Sequence, residues 1–91
     1  MRGDEKYKCF LCGRYTPTEK HHIFGGANRT HSERYGLTVH LCHNCHNEPP
    51  NGVHFNAQRM RYLRQIGQLE FERYHTREEF MRIFGKNYME D

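Results

Sequence analysis

Apolar positions are sparse in the first half of this chain and periodic in the second. Residues 1–8, MRGDEKYK, form a polar N-terminal segment, loose at its start. YKCFLCGR then predicts a tight turn presenting Cys9 and Cys12, with Gly13 beyond it. YTPTEKHHIF has a proline break followed by a short extended run. GGANRTHSERYG is polar and glycine-rich and reads as a loop. LTVHLC alternates weakly and is rich in β-formers, which predicts a strand. It is expected to pair antiparallel with the strand carrying His21 and His22. In CHNCHNEPPNGVHFN a second thiol turn leads into Pro49 and Pro50, which stop any helix begun near Cys45.

From Val53 the period changes. Val53, Ala57, Met60, Gly67 and Phe71 share one helical face, and Leu63, Ile66, Leu69 and Tyr74 widen it. The pattern predicts one helix from about residue 51 or 52 to about 73, with Gly67 a close-packing point. Thr76 and Glu79 read as a capping box, and Gly85 as a helix stop. Phe80, Met81, Ile83 and Phe84 form the apolar side of a short last helix, expected to back onto the long one. The pattern divides the chain into the segment 1–8 and one domain, 9–91. Within that domain, 9–56 carries the thiol turns and the paired strands, and 57–91 the C-terminal helices. There is no repeat or low-complexity stretch.

Composition makes the core thin. Leu, Ile, Val and Phe supply 16 of 91 residues, under the roughly 20% typical of confident globularity. Disorder is opposed by a net charge of only +3 and 13% aromatics. A chain of this length needs another source of folding energy. The absence of a signal-like or membrane-length apolar run implies a cytoplasmic, intracellular location with no membrane partner. Thiols there stay reduced, which favours metal binding over disulfides.

Cys9, Cys12, Cys42 and Cys45 form two C-x2-C pairs separated by 29 residues. Four thiolates suit a closed, tetrahedral, structural Zn2+ site, and metal binding by such a domain is largely folding free energy. Iron–sulfur chemistry is the rival, with no redox feature to favour it. The order knuckle, hairpin, knuckle, helix is that of a treble clef. The fold class expected is therefore small α+β: a zinc-stabilised treble-clef core, then a long helix and a short C-terminal helix.

Seven of the eight histidines fall between His21 and His54. Adjacent strand residues face opposite ways, so His21 and His22 cannot both ligate one ion on a regular strand. One arrangement is a divalent ion on His21 and His46, with His54 the third ligand and His22 a general base. Neutral imidazoles leave the ion its charge for binding a phosphodiester. The alternatives are solvated or hydrogen-bonded histidines, or a zinc site of three cysteines completed by His46.

CFLC, HHIFGG, LTVHLCHNCH and GVHFN, in that order over residues 9 to about 56, resemble the HNH (ββα-metal) endonucleases, in particular small phage and prophage members. The resemblance implies a ββα-metal core and hydrolysis of DNA with one divalent ion (Mg2+, Mn2+, Ni2+ or Zn2+). DNA, double-stranded, is the partner expected, with RNA or branched DNA the alternative substrates; the few basic groups and the lack of a base-reading element leave targeting or regulation to a protein partner. Carried over residue by residue, His21 is the first ligand, where many members have Asp. His22 is the general base, and His46 is the ligand after the second knuckle. The family's further helix ligand falls on Pro50, so that role shifts to His54. The family's middle Asn has no counterpart in YGLTVHLC; Asn28, Asn44 and Asn47 are the substitutes. Lys20, Arg29, Arg34, Arg59, Arg61 and Arg64 are available for phosphates, with Arg29 and Arg61 favoured as DNA contacts. The competing reading is a non-catalytic treble-clef zinc module binding nucleic acid or protein.

Overall fold

The computed structural model describes residues 6–89. It is α+β, with two two-stranded sheets and four α-helices among the described residues. The expected loose start at residues 1–5 lies outside the described residues. No helix among the described residues is long and apolar enough to cross a membrane. The chain groups into two units, residues up to 21 with 39–60, and residues 22–38 with 61 onward.

In the first unit, strands β1 (Lys6–Lys8) and β2 (Tyr15–Pro17) pair antiparallel, with Tyr7 opposite Thr16. Between them runs the Cys9–Cys12 turn, closed by Gly13 N–H donating to the Cys9 carbonyl at 2.9 Å. Gly13 sits at φ 80°, a left-handed conformation that costs a side-chain-bearing residue. The hairpin was not anticipated, because KYK and YTP are too short and too polar to read as strands. Phe10 N–H donates to the His40 carbonyl at 2.9 Å and ties the turn to the strand Thr38–Leu41, β4. That strand pairs with β3 (Glu19–His22), as its sequence predicts.

Helix α2 (His43–Asn47) follows directly, then a separate 3-10 turn at Val53–Phe55. The expected single helix from residue 51 or 52 is therefore corrected. The long helix α3 spans Ala57–Glu72. Asn56 is extended, at φ −139° and ψ 101°, so the turn cannot run on into the helix. Its side-chain oxygen accepts from Arg59 N–H at 3.1 Å, capping α3. The buried apolar residues of this unit are Cys9, Leu41, Cys42, Cys45 and Val53. Three of the five are thiols, so little hydrocarbon holds the unit together.

The second unit has the aromatic core. Phe24 packs on Phe80 and Phe84, with centroids 5.4 and 4.6 Å away, and Phe71 packs on Phe80 at 5.5 Å. Residues 25–36, expected as a loop, instead form a 3-10 turn (Gly26–Asn28) and helix α1 (Arg29–Arg34). Buried Ser32 holds α1 in place: its hydroxyl accepts from Phe24 N–H at 2.9 Å and donates to the Phe24 carbonyl at 2.8 Å. A polar sequence can thus be ordered by one satisfied hydroxyl rather than by an apolar stripe.

The last helix, α4 (Arg77–Phe84), has both arms of the Thr76–Glu79 capping box and ends at Gly85 in the left-handed region. Phe80 and Phe84 are buried and meet Phe71 of α3 as expected, whereas Met81 points outward. On α3, Leu63, Gly67 and Phe71 are buried, but Leu69 is exposed, as is Tyr74 just beyond the helix. The apolar face of α3 is narrower than the sequence pattern implied.

Candidate metal centres

The four cysteines converge. One ligand atom from each of Cys9, Cys12, Cys42 and Cys45 lies within 4.8 Å of the other three. Cys9 and Cys12 come from the β1–β2 turn, Cys42 from the extended N-cap of α2 and Cys45 from its first turn. The Cys12 and Cys42 sulfurs are 3.7 Å apart. Sulfurs bound tetrahedrally to one Zn2+ at ~2.3 Å would stand about 3.8 Å apart. Donor type and spacing both fit zinc.

Electrostatics point the same way. Burial opposes ionisation of Cys9, but backbone N–H groups of Cys12, Cys42 and Leu11 converge on it and bring its pKa down to about 6. Burial, with the crowding of Cys42, Cys9 and Cys12, pushes Cys45 up to about 12. Negative charge therefore settles at Cys9 and is resisted at Cys45. A divalent cation removes that conflict. Arg59, a phosphate-binding candidate on sequence grounds, is instead drawn to this centre. Its guanidinium donates to the Asn51 carbonyl at 2.9 Å and approaches the Cys45 sulfur at 3.8 Å.

A second cluster joins His21, His46 and His54, whose ligand nitrogens lie within 4.8 Å of one another. His21 is buried on β3, His46 is half-buried on α2, and His54 is exposed on the 3-10 turn. The His46 and His54 Nε2 atoms are 3.1 Å apart. Two imidazole nitrogens on one Zn2+ at ~2.0–2.1 Å would be about 3.3 Å apart. These three residues fit a transition-metal ion, and His54 reaches the cluster from the turn rather than from a helix. Gly52 makes this possible. A Cβ there would lie 2.7 Å from Glu48 N and 2.9 Å from Glu48 O, so only glycine lets the turn close onto α2.

Glu19 is a residue that sequence reasoning passed over. Its carboxylate accepts from His46 Nδ1 at 2.7 Å, from Asn47 Nδ2 at 3.0 Å and from His43 Nδ1 at 3.2 Å. Burial alone would raise its pKa; the bonds from His46, His43 and Asn47 outweigh that and hold it below the ordinary carboxylate value. A signal was available, because Glu19 and His21 are two apart on a strand and share a face. His43, between Glu19 and Glu48, has its pKa raised by hydrogen bonds to both. Of the three asparagines considered for the bracing role, Asn47 is the one at this cluster. Asn28 instead donates to the Phe84 carbonyl at 3.2 Å, and Asn44 is exposed.

Comparison with family models, curated proteins and solved structures finds no match to this chain.

His22 belongs to the second unit. Its Nε2 lies 2.9 Å from Glu33 Oε1 of α1. A carboxylate only accepts, so the proton between them sits on Nε2. Glu33 was not anticipated, because the segment that carries it read as loop. Arg29 is exposed at the start of α1, and Arg61 is half-buried on α3.

Proposed function

We propose that the chain is a metal-dependent endonuclease of the HNH (ββα-metal) type that hydrolyses DNA phosphodiester bonds. One observation carries the reading: His21, His46 and His54 bring three imidazole nitrogens within 4.8 Å of one another. A pure binding module with a four-thiolate centre has no need of them. Further support is the sequence order of knuckle, paired strands, knuckle and helix, which is that of a zinc-bound treble clef.

In this reading Cys9, Cys12, Cys42 and Cys45 hold a structural Zn2+. His21, His46 and His54 hold a divalent ion, which when bound supplies Lewis-acid stabilisation of charge on the phosphate and the departing oxygen. His22 is the general base. Glu33 holds its Nε2–H, and the Nδ1 lone pair takes a proton from water. The water oxygen forms a bond to phosphorus as the bond to the 3′ oxygen breaks. That oxygen leaves as a hydroxyl after taking a proton from solvent, and the other product carries a 5′-phosphate. Arg29 and Arg61 serve as phosphate contacts.

The test is plasmid nicking with Mg2+, Mn2+, Ni2+ and Zn2+ supplied separately. His22→Ala should lower turnover by ~10²–10⁴-fold, the usual contribution of a general base, with DNA affinity nearly unchanged. His46→Ala should lose the ion of the histidine site and keep the thiolate zinc. Full nicking by His22→Ala would remove the mechanism. Silence of the wild type with every ion would favour the non-catalytic zinc module.

A further inference from the structure

Glu19 is the carboxylate on which helix α2 closes. His43, His46 and Asn47, which donate to it, all come from that five-residue helix. The shortest contact decides a tautomer. An ionised carboxylate has no proton to give, so a 2.7 Å approach to His46 Nδ1 requires that nitrogen to carry the hydrogen. Asn47 Nδ2 also lies 3.1 Å from His46 Nδ1, but two N–H groups cannot bond each other; both donate to Glu19 Oε1. In the neutral imidazole Nε2 then keeps its lone pair, and this is the atom 3.1 Å from His54 Nε2. A neutral imidazole without such a partner prefers its proton on Nε2, the position a metal ion needs vacant.

We propose that Glu19 is the positioning residue of the His21–His46–His54 site, fixing His46 as the Nδ1–H tautomer so that Nε2 is free for a divalent transition-metal ion. The proposal rests on the reading of that cluster as an ion site. Glu19 itself touches neither the ion nor the phosphodiester. Partners of this kind are worth about 10–100-fold in metal affinity, because they set both ring orientation and ligand basicity.

The experiment uses the full chain with one equivalent of Zn2+ on its cysteines and no nucleic acid. Long-range proton–nitrogen NMR of 15N-histidine protein reads the tautomer directly. In the wild type His46 should be protonated on Nδ1; protonation on Nε2 would overturn the proposal. Co2+ titration, followed by its visible absorption, reads the second site. Glu19→Ala should weaken Co2+ binding about 10–100-fold while zinc stays on the thiolates. Glu19→Gln retains an oxygen that accepts from Nδ1–H, so it should keep the tautomer and lose less affinity. Wild-type affinity in Glu19→Ala would sink the role of Glu19 alone. Failure of the wild type to bind Co2+ would instead sink the ion-site reading beneath it. Should Glu19→Ala fail to fold, the wild-type tautomer decides on its own: Nδ1–H supports the proposal and Nε2–H overturns it.

Discussion

Single side chains in this protein act through small margins of space. Gly67 is the clearest case. A Cβ at that position would lie 2.9 Å from both Ile23 and Phe24, which are themselves buried. Phe24 is itself packed on Phe80 and Phe84. Gly67→Ala should therefore destabilise the second unit by about 1–3 kcal/mol, as overpacking does, despite the better helix propensity of alanine. Denaturant unfolding reads this directly, and a variant as stable as wild type would mean that α3 can shift away. The close contact was legible in the sequence, because glycine inside a long helix costs stability unless a neighbour needs the space. The roles of Glu19 and Glu33 were less legible. A surface carboxylate in sequence looks the same whether it is solvated or bonded to an imidazole 11 or 27 residues away.

At the scale of elements, the caps were readable and the short pieces were not. The Thr76–Glu79 box is a local signal, and both of its arms form. Thr76→Ala should cost about 1 kcal/mol of stability in thermal or denaturant unfolding, within the range for a lost N-cap. Helix α1 and the β1–β2 hairpin escaped notice because tertiary partners, not periodicity, order them. The turn at Val53–Phe55 depends on Gly52 lying against Glu48, with Gly52 N–H donating to the Glu48 carbonyl. Gly52→Ala should push this turn off α2 and separate His54 from His46. Co2+ affinity at the histidine site should fall at least about tenfold, in the range of a lost metal-supporting interaction, while the thiolate zinc remains. Unchanged Co2+ affinity would show that His54 is no ligand.

For the whole molecule, the two units differ in what holds them. One has an aromatic core; the other buries mainly thiols. Removing zinc should therefore collapse hydrogen-exchange protection in α2 and β4, while amides of α4 keep theirs. Native protection of α2 in a zinc-free sample would refute a structural metal. Acid should act on the second unit. Hydrogen bonds from Arg77, against the effect of burial, lower the Glu72 pKa, and the Thr76 backbone N–H lowers that of Glu79. Folded pKa values below the unfolded ones mean that these groups stabilise the fold above the unfolded carboxylate pKa. That contribution fades as pH falls through the folded values. In the zinc-free chain the stability of α4, read from its amide protection, should drop below about pH 4.5, the region where ordinary carboxylates titrate. A flat profile down to about pH 3 would contradict it.

The sequence by itself determined the two thiol turns, the β3–β4 pairing, the last helix with its cap, and the tight contact at Gly67. Each rests on a local rule: ligand spacing, strand alternation, capping chemistry, or a small residue on a helical face. Only the tertiary structure decided that His54 reaches His46 from a 3-10 turn and that Arg59 turns toward Cys45. It alone decided that Glu19 and Glu33 hold the imidazoles of His46 and His22. Those contacts join residues far apart in the chain, and their energy depends on distance and direction in space. A one-dimensional pattern encodes neither.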